Sequence, residues 1–318
     1  MNFQTRITEL LGIEYPIIQG GLAHLAYSDL AAAVSNAGGL GQITAMSLET
    51  TEELRHEIKR VKSMTDRPFG VNFAIGQHGR PFEHMVDIAI EENVPVISIT
   101  GGNPKEVLDR VDGLDMKKLV LVAATRQAVK AEELGADAVM VVGQEGGGHL
   151  GKGDVGTFVL TPEVADQVSI PVIASGGIVD GRGLMAALSL GAEGIEMGTR
   201  FIATKEARAH QNYKQAILDA TEDDTVVIKR SIGSPARVLR GPWTERILEI
   251  EQQVTGYEYL KDYISGKVNQ NYIKHGDSNE GFGWAGQSAA RIKDIPSVQE
   301  LIQSIVTEAE NVKNKWNK

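Results

Sequence analysis

The sequence predicts an α/β chain folded as a (β/α)8 TIM barrel with a smaller, mainly helical inserted cap domain. Three observations predict it. Short apolar runs alternate with amphipathic stretches from about residue 15 to residue 204, two helix-to-strand junctions are near-copies, and glycine-rich turns recur after the same end of several runs.

Eight runs read as strands, at 16–20, 40–44, 69–73, 94–99, 119–123, 138–142, 171–174 and 194–197. None alternates strictly apolar with polar, as expected of parallel strands covered on both faces. Between them, 52–63, 82–92 and 127–134 carry charges on one face and aliphatics on the other, the pattern of outer helices. The junctions Leu134-Gly135-Ala136-Asp137-Ala138-Val139 and Leu190-Gly191-Ala192-Glu193-Gly194-Ile195 each end a helix on glycine and turn into a strand. Two units separate them, at about 28 residues each, a fitting length for one βα repeat. Beyond residue 210 the pattern changes: 214–219, 238–253 and 257–264 read as helices, with no strand run of comparable quality. The reading is therefore a barrel over 1–212 and 285–318, a helical cap or insertion over 213–284, and a closing helix at 298–315 that packs back on the barrel. A doubly wound open sheet is the alternative, because a count of strands does not establish closure.

With 318 residues, 42% of them hydrophobic, the chain can bury a large core. Only 5% aromatic residues against 35 glycines suits short buried strands and tight turns better than a β-sandwich. The net charge of −10 and the lack of a basic block argue against nucleic acid or an anionic membrane as partner, leaving a small-molecule substrate. There is no cysteine, so disulfides, thiolate catalysis and cysteine-held metals are excluded. Residues 1–16 contain Glu9 and break at Gly12, without the apolar run of a secretion signal or membrane span, so cytoplasmic residence is expected. No metal site is expected: there is no HExxH, no Asp-rich loop, and His78 and His84 are six apart, a spacing one helix does not align. Gly38-Gly39-Leu40-Gly41-Gln42 enters a strand rather than following one, so the dinucleotide fingerprint is absent.

In a barrel, chemistry belongs to the loops after the strands. Those loops hold Gln19-Gly20-Gly21-Leu22, Asn72, residues 143–151 with three glycines before His149, Ser175-Gly176-Gly177-Ile178, and Met197-Gly198-Thr199-Arg200. The last two suit a phosphate: Gly176, Gly177 and Gly198 remove obstructing Cβ atoms, Ser175 and Thr199 add hydroxyls, and a helix opening near Asp180 could aim its N-terminus at the anion. The plainer reading is that these glycines only make tight turns. His149 is the candidate catalytic residue, since an imidazole exchanges protons near neutral pH and its glycine frame lets the backbone pass close to a planar ligand. As a lone histidine it could equally be structural. Glu145 is read as bonding N–H groups of its own loop rather than acting as a base, Asn72 as an amide suited to a heterocycle edge, and His24 as substrate-proximal. His56, His78, His84, His210 and His275 lack a glycine frame and are read as solvated or structural.

Taken together, Pro16-Ile17-Ile18-Gln19-Gly20-Gly21-Leu22, Phe69-Gly70-Val71-Asn72, Gly147-Gly148-His149, Ala174-Ser175-Gly176-Gly177-Ile178 and Met197-Gly198-Thr199-Arg200-Phe201 resemble the nitronate monooxygenase family, formerly the 2-nitropropane dioxygenases. The resemblance covers nearly the whole chain and extends to FMN-dependent NADH:quinone reductases and enoyl-acyl carrier protein reductases. It implies FMN at the barrel rim, with ring contacts from Gly21, Leu22, Asn72 and Gly147. The phosphate would lie on the loops of Ser175, Gly176, Gly177, Met197, Gly198 and Thr199, and His149 would be the active-site histidine. It also implies oxidation of alkyl nitronates with O2, or alternatively reduction of quinones or enoyl thioesters with NAD(P)H as co-substrate, and dimerisation, which is common in the family. A phosphate-binding barrel without redox chemistry is the reading from a different class. The chain departs from the monooxygenase pattern at Val142, where glutamine is common, at Leu22, where methionine is frequent, and at His24, where some quinone-reductase relatives carry tryptophan. Its 230–251 segment, with Arg237-Val238-Leu239-Arg240, is nearer the quinone-reductase branch.

Overall fold

The computed structural model describes residues 3–76 and 81–316, the last by its backbone alone; His78 lies outside the described residues. Thr5 opens the first helix, Arg6–Leu11, through a reciprocal cap with Thr8, and Gly12 closes it in the left-handed region at φ 66°. The following strands are β1 (Ile17–Gln19), β2 (Gly41–Thr44), β3 (Phe69–Ala74), β4 (Val96–Thr100), β5 (Lys117–Val122), β6 (Ala138–Val142), the two-residue β7 (Gly148–His149), β8 (Val172–Ser175) and β9 (Gly194–Met197). All but β7 form one parallel sheet in the order β1-β9-β8-β6-β5-β4-β3-β2. The two ends of that order meet: Leu40 N–H donates to the Ile17 carbonyl at 2.9 Å, and Gln19 N–H donates to the Leu40 carbonyl at 2.9 Å. The sheet is therefore a closed (β/α)8 barrel and not a doubly wound sheet, and all eight strand expectations fall on it.

Closure divides the side chains by parity. Ile18, Leu40, Val96, Leu119, Met140 and Ile173 point inward and pack on Ile7 and Leu11, so the first helix plugs the amino-terminal end of the barrel. The opposite parity faces outward against the helices. Ile43, Val71 and Ile97 meet Leu54 and Ile58 of the helix Thr51–Met64 and Val86 of Glu83–Glu91. On the other side Ile17, Ala174 and Ile195 meet Leu30, Leu184 and, from the closing helix Val298–Trp316, Ile302 and Ile305. Two residues further along four of the strands the inward positions turn polar: Gln42, Ser98, Ser175 and Glu196 are all buried at the carboxyl end. The barrel thus has an apolar base and a polar upper layer.

The segment after residue 210 is less helical than its sequence suggests. Helices Gln211–Asp219, Pro242–Gln253, Tyr257–Leu260 and Gly266–His275 are present, but 225–228 and 236–239 are strands, β10 (Thr225–Ile228) and β11 (Ala236–Leu239). The expectation of one helix over 238–253 is corrected on this point. Val238 and Leu239 finish an antiparallel pairing with β10, and helix begins only where Pro242 supplies a pre-set φ at its first position. β11 pairs on its other edge with β7, tying this segment to the barrel loop that carries His149. No described helix is long and apolar enough to cross a membrane.

The tightest approach of helix to strand is at Gly41, where a Cβ would overlap the Ala31 carbonyl and sit 2.5 Å from its carbon, both in the backbone of the helix Ser28–Asn36. Neither atom can yield without moving the helix. Gly41→Ala is expected to cost about 3 kcal/mol, at the upper end of ordinary overpacking. Thermal denaturation followed by circular dichroism will show this as a fall of several degrees in Tm; an unchanged Tm would mean the helix is not held this closely.

Candidate active site at the carboxyl end of the barrel

Because the strands are parallel, the loops after β1, β3, β6, β8 and β9 emerge at one end. Direct contacts join them into a continuous rim. Gly21 lies against Asn72, so closely that a Cβ would be 2.6 Å from the amide carbon; Asn72 in turn donates from Nδ2 to Ser98 Oγ at 2.9 Å, which leaves Oδ1 on the Gly21 side. Leu22 packs against Gly198, and its N–H donates to Thr44 Oγ1 at 3.0 Å. Thr199 Oγ1 accepts from Gly286 N–H at 2.9 Å. Gly286 lies against Gly147, where a Cβ would be 2.6 Å from the Gly286 nitrogen. Gly176 closes the circuit against Gly146. The glycine at 147 is therefore required by the passage of 285–286, a reason that the sequence reading did not anticipate.

Gly176 and Gly177 have φ of 89° and 77°, a pair of left-handed residues open to glycine, and the N–H groups of Gly176, Gly177 and Gly198 donate to no acceptor among the described residues. Such successive free N–H groups form a concavity for an anion. The helix Gly181–Ser189 does not share in it, which corrects the expectation at Asp180. The Asp180 carboxylate caps Gly183 N–H at 3.0 Å, and Glu308 accepts from Gly181 N–H at 2.9 Å, so the first turn already faces two carboxylates. A cleft of about 530 Å³ near that turn, lined by Asp180, Arg200, Arg291, Asp294 and Glu308, lies toward the closing helix and includes none of the rim glycines. Met197 gives the rim only its backbone, since its side chain is buried among Ile17, Ala174 and Phe201. Ser175 donates its hydroxyl to the Glu196 carboxyl.

His149 is exposed, but its backbone is fixed. β7 pairs antiparallel with β11, His149 opposite Ala236, and Leu150 N–H donates to the Pro235 carbonyl at 2.9 Å. The glycine-framed loop is thus open at its ring and held at its backbone. The imidazole stands 5.4 Å from the Trp284 ring, and its Nε2 lies 2.6 Å from Lys229 Nζ. Trp284 is held by Nε1 donating to Asn269 Oδ1 at 3.0 Å and by Tyr213, buried beneath it, whose hydroxyl donates to the Trp284 carbonyl at 2.5 Å. Lys229 is buried at the end of β10 with φ 65°; burial pushes its ammonium down to about 8, against a smaller upward pull from Glu251. His24, also at positive φ (60°), turns toward the helix Gly266–His275, with Gln270 Nε2 3.5 Å from its Nδ1. Glu145 accepts from Thr157 N–H at 2.8 Å and from Thr157 Oγ1 at 3.0 Å; it bonds a backbone N–H as expected, but that of the first residue of the helix Thr157–Ala165 and not one of its own loop. His210 likewise caps a helix, accepting from Asn212 N–H at 3.1 Å.

Sequence reasoning missed Lys229, Trp284 and Glu196. Lys229 follows an apolar run without any glycine signature, Trp284 is 135 positions from His149, and Glu196 reads as one polar residue within a strand. Only the parity of Glu196 within its strand could have pointed to the barrel interior.

Comparison with known proteins places the chain among relatives of full length. The sequence profile described as nitronate monooxygenase matches residues 4–308. A probable nitronate monooxygenase of Staphylococcus saprophyticus is 32% identical, with 99% of this chain and 100% of that protein covered. Among solved structures, FabK from Thermotoga maritima is 40% identical, with 99% and 98% of the two chains covered and a TM-score of 0.93. A nitroalkane oxidase from Streptomyces ansochromogenes is 27% identical, with 98% and 99% covered and a TM-score of 0.86.

The Glu196 carboxyl is fully buried, and desolvation raises its pKa above the ordinary carboxylate value, with Ser175 opposing in part. A raised pKa means that the folded state favours the protonated form. Its stabilising contribution is complete below the ordinary carboxylate pKa and is lost as pH rises through the raised value. Glu196→Gln, which keeps the shape and cannot ionise, is expected to equal or exceed the native Tm at pH 8, with the difference shrinking toward pH 4. A difference that does not vary with pH would show that Glu196 does not titrate on folding.

Proposed function

This chain belongs to the nitronate monooxygenase family, and from that premise we propose that it is an FMN-dependent oxidoreductase that uses NAD(P)H to reduce the activated double bond of an enoyl thioester. The observation that carries the reading is His149, an exposed imidazole fixed by its backbone beside a glycine-walled rim. The rim fits a flavin nucleotide on two counts. The N–H groups of Gly176, Gly177 and Gly198 are open to an anion, with Ser175 and Thr199 beside them, and Gly21 and Gly147, held close to Asn72 and to 285–286, put bare backbone on the same rim. Asn72, Gly21, Leu22 and Gly147 would line the ring. The choice of an enoyl thioester rests on the 40% identity shared with FabK across the whole chain, including 213–284, together with the sequence resemblance to enoyl-acyl carrier protein reductases.

When bound, FMN supplies two-electron transfer, and the side chains govern what accompanies it. Reduction of a conjugated double bond places negative charge toward the thioester carbonyl and needs one proton at the α-carbon. With Nε2 turned to Lys229, the proton for the α-carbon would come from Nδ1, the other nitrogen of the His149 ring. Trp284 packs beside the imidazole, the two ring planes tilted by 42°. The short sheet of β10, β11 and β7 forms the wall across which substrate approaches, and His24, held near Gln270, contributes to the far side of that approach.

Oxidation of nitronates is the second reading, favoured by the family profile and by the Staphylococcus relative. A nitronate is already an anion and needs no proton, but it would be drawn to the Lys229 ammonium. Purified protein loaded with FMN separates the two. Rapid anaerobic bleaching by NADH or NADPH, followed by reoxidation with an enoyl thioester, is the expected result; bleaching by a nitronate and not by NAD(P)H would establish the second reading instead. Protein that takes up no FMN would favour the phosphate-binding barrel without redox chemistry.

His149→Ala is expected to keep FMN, whose contacts lie on other residues, and to lose turnover by about a hundredfold or more. Undiminished kcat in that variant would remove His149 from the reaction.

A further inference from the structure

Lys229 is costly in two ways. It is a non-glycine residue at φ 65°, and its ammonium is buried to 6% exposure. The surrounding structure holds both features in place: its own N–H donates to Glu251 Oε2 at 2.9 Å, and Ser231 N–H and Oγ donate to the other oxygen of the same carboxylate at 2.9 and 2.7 Å. Both oxygens of Glu251 are thereby engaged by backbone and hydroxyl groups, while Nζ points at His149 Nε2, 2.6 Å away, and lies 5.6 Å from the Trp284 ring centroid. The nearest basic neighbours on the paired strand and the following loop are directed elsewhere. Arg237 donates to the Gln144 carbonyl and to Thr225 Oγ1, both at 3.2 Å, and Arg230 pairs with Asp154 at 3.2 Å. A lysine has three donors and no acceptor, so in its charged form the only hydrogen bond it can make to Nε2 is as donor.

We propose that Lys229 is the positioning residue for His149: donation from Nζ to Nε2 holds the imidazole neutral in the Nδ1–H tautomer, with its proton on the side away from the lysine, and makes Nζ the source that replenishes the ring. The proton count closes. As Nδ1 gives its proton to the substrate carbon, Nζ gives one to Nε2; the ring remains neutral and the lysine becomes an amine. Water then returns a proton to Nδ1 while Nε2 hands its own back to Nζ, and the sum is one proton moved from solvent to substrate. The burial that lowers the lysine pKa to about 8 makes its proton easier to give up near neutral pH, as this exchange requires. Glu251 opposes the shift, and His149, Arg230 and Arg237 are the other titratable or cationic groups on the elements around it.

The assignment of Nδ1 as the proton-bearing nitrogen is independent of which substrate is reduced, whereas the replenishing step rests on the enoyl reductase reading. Two measurements on the FMN-loaded protein keep them apart. Imidazole ¹⁵N NMR of native protein is expected to show His149 as the Nδ1–H tautomer, and in Lys229→Met its protonation midpoint is expected to move to higher pH because the neighbouring cation is gone. Lys229→Arg, which keeps the charge without an exchangeable proton near neutral pH, is expected to retain the tautomer. In the rate assay with NADPH or NADH and an enoyl thioester, Lys229→Met is expected to lose kcat by tenfold or more, to shift the pH profile of kcat, and to change KM little. Lys229→Arg is expected to restore the tautomer without restoring the rate. A native-like ¹⁵N spectrum and pH titration in a folded Lys229→Met, checked by circular dichroism, would overturn the positioning role. A changed spectrum with an unchanged pH profile of kcat would overturn the replenishing role alone. Should no enoyl thioester be reduced, the functional reading fails while the NMR result still decides the tautomer.

Discussion

The rim depends on backbones that touch where side chains would stand. Residues 146–147 run against 285–286 and Gly176 runs close to Gly146, backbone against backbone, while Gly21 lies against the Asn72 side chain. These contacts draw loops from opposite sides of the barrel into one ring. They also set the height of the wall above it, because the segment that reaches Gly147 continues into Trp284 and the segment that leaves it continues into His149. A methyl group at Gly147 or Gly286 would push the loop that carries the imidazole away from the segment that carries Trp284.

Below the ring, the barrel changes character along its axis. The first helix fills one end with Ile7 and Leu11, and the inward residues there are aliphatic. Toward the other end the same parity presents Gln42, Ser98, Ser175 and Glu196. A polar floor under a glycine rim can hydrogen-bond the edge of a heterocycle while the apolar base keeps water from entering beneath it. Glu196 is the extreme member, a carboxyl removed from water with one hydroxyl to meet it, and it stays neutral over a wider pH range than an exposed glutamate.

Above the ring, the geometry departs from a purely helical cap. Two short strands from the inserted segment extend onto the glycine loop, and this pairing converts a segment with three consecutive glycines into one with a defined direction. Without β11, the backbone of Gly148 at φ 77° would be free to take many courses, and the ring of His149 would not stand reliably beside Lys229 and Trp284. The strand pairing, the packing of Tyr213 under Trp284 and the bonds around Glu251 all act on the same few atoms. The cap is thus part of the site and not merely a cover over it.

The order and nature of the barrel elements were legible from the chain itself. Continuous apolar runs of four to six residues separated by amphipathic helices can be buried only as covered parallel strands, and glycines at the ends of those runs mark where backbone must come close to something. That reasoning located all eight barrel strands, the rim loops and His149. It did not separate the strand at Ala236–Leu239 from the helix that follows, because a four-residue run beside a helical pattern has no period of its own. Nor could it find the company of His149. Lys229 and Trp284 are 80 and 135 positions away, and nothing in a local pattern encodes which distant residue a folded backbone will set within 3 Å. The sequence by itself determined the elements and the end of the barrel at which the glycine loops gather, because those follow from burial and backbone conformation over neighbouring residues. The tertiary structure alone decided what surrounds the imidazole, because that depends on closure of the barrel and on a strand pairing between segments remote in the chain.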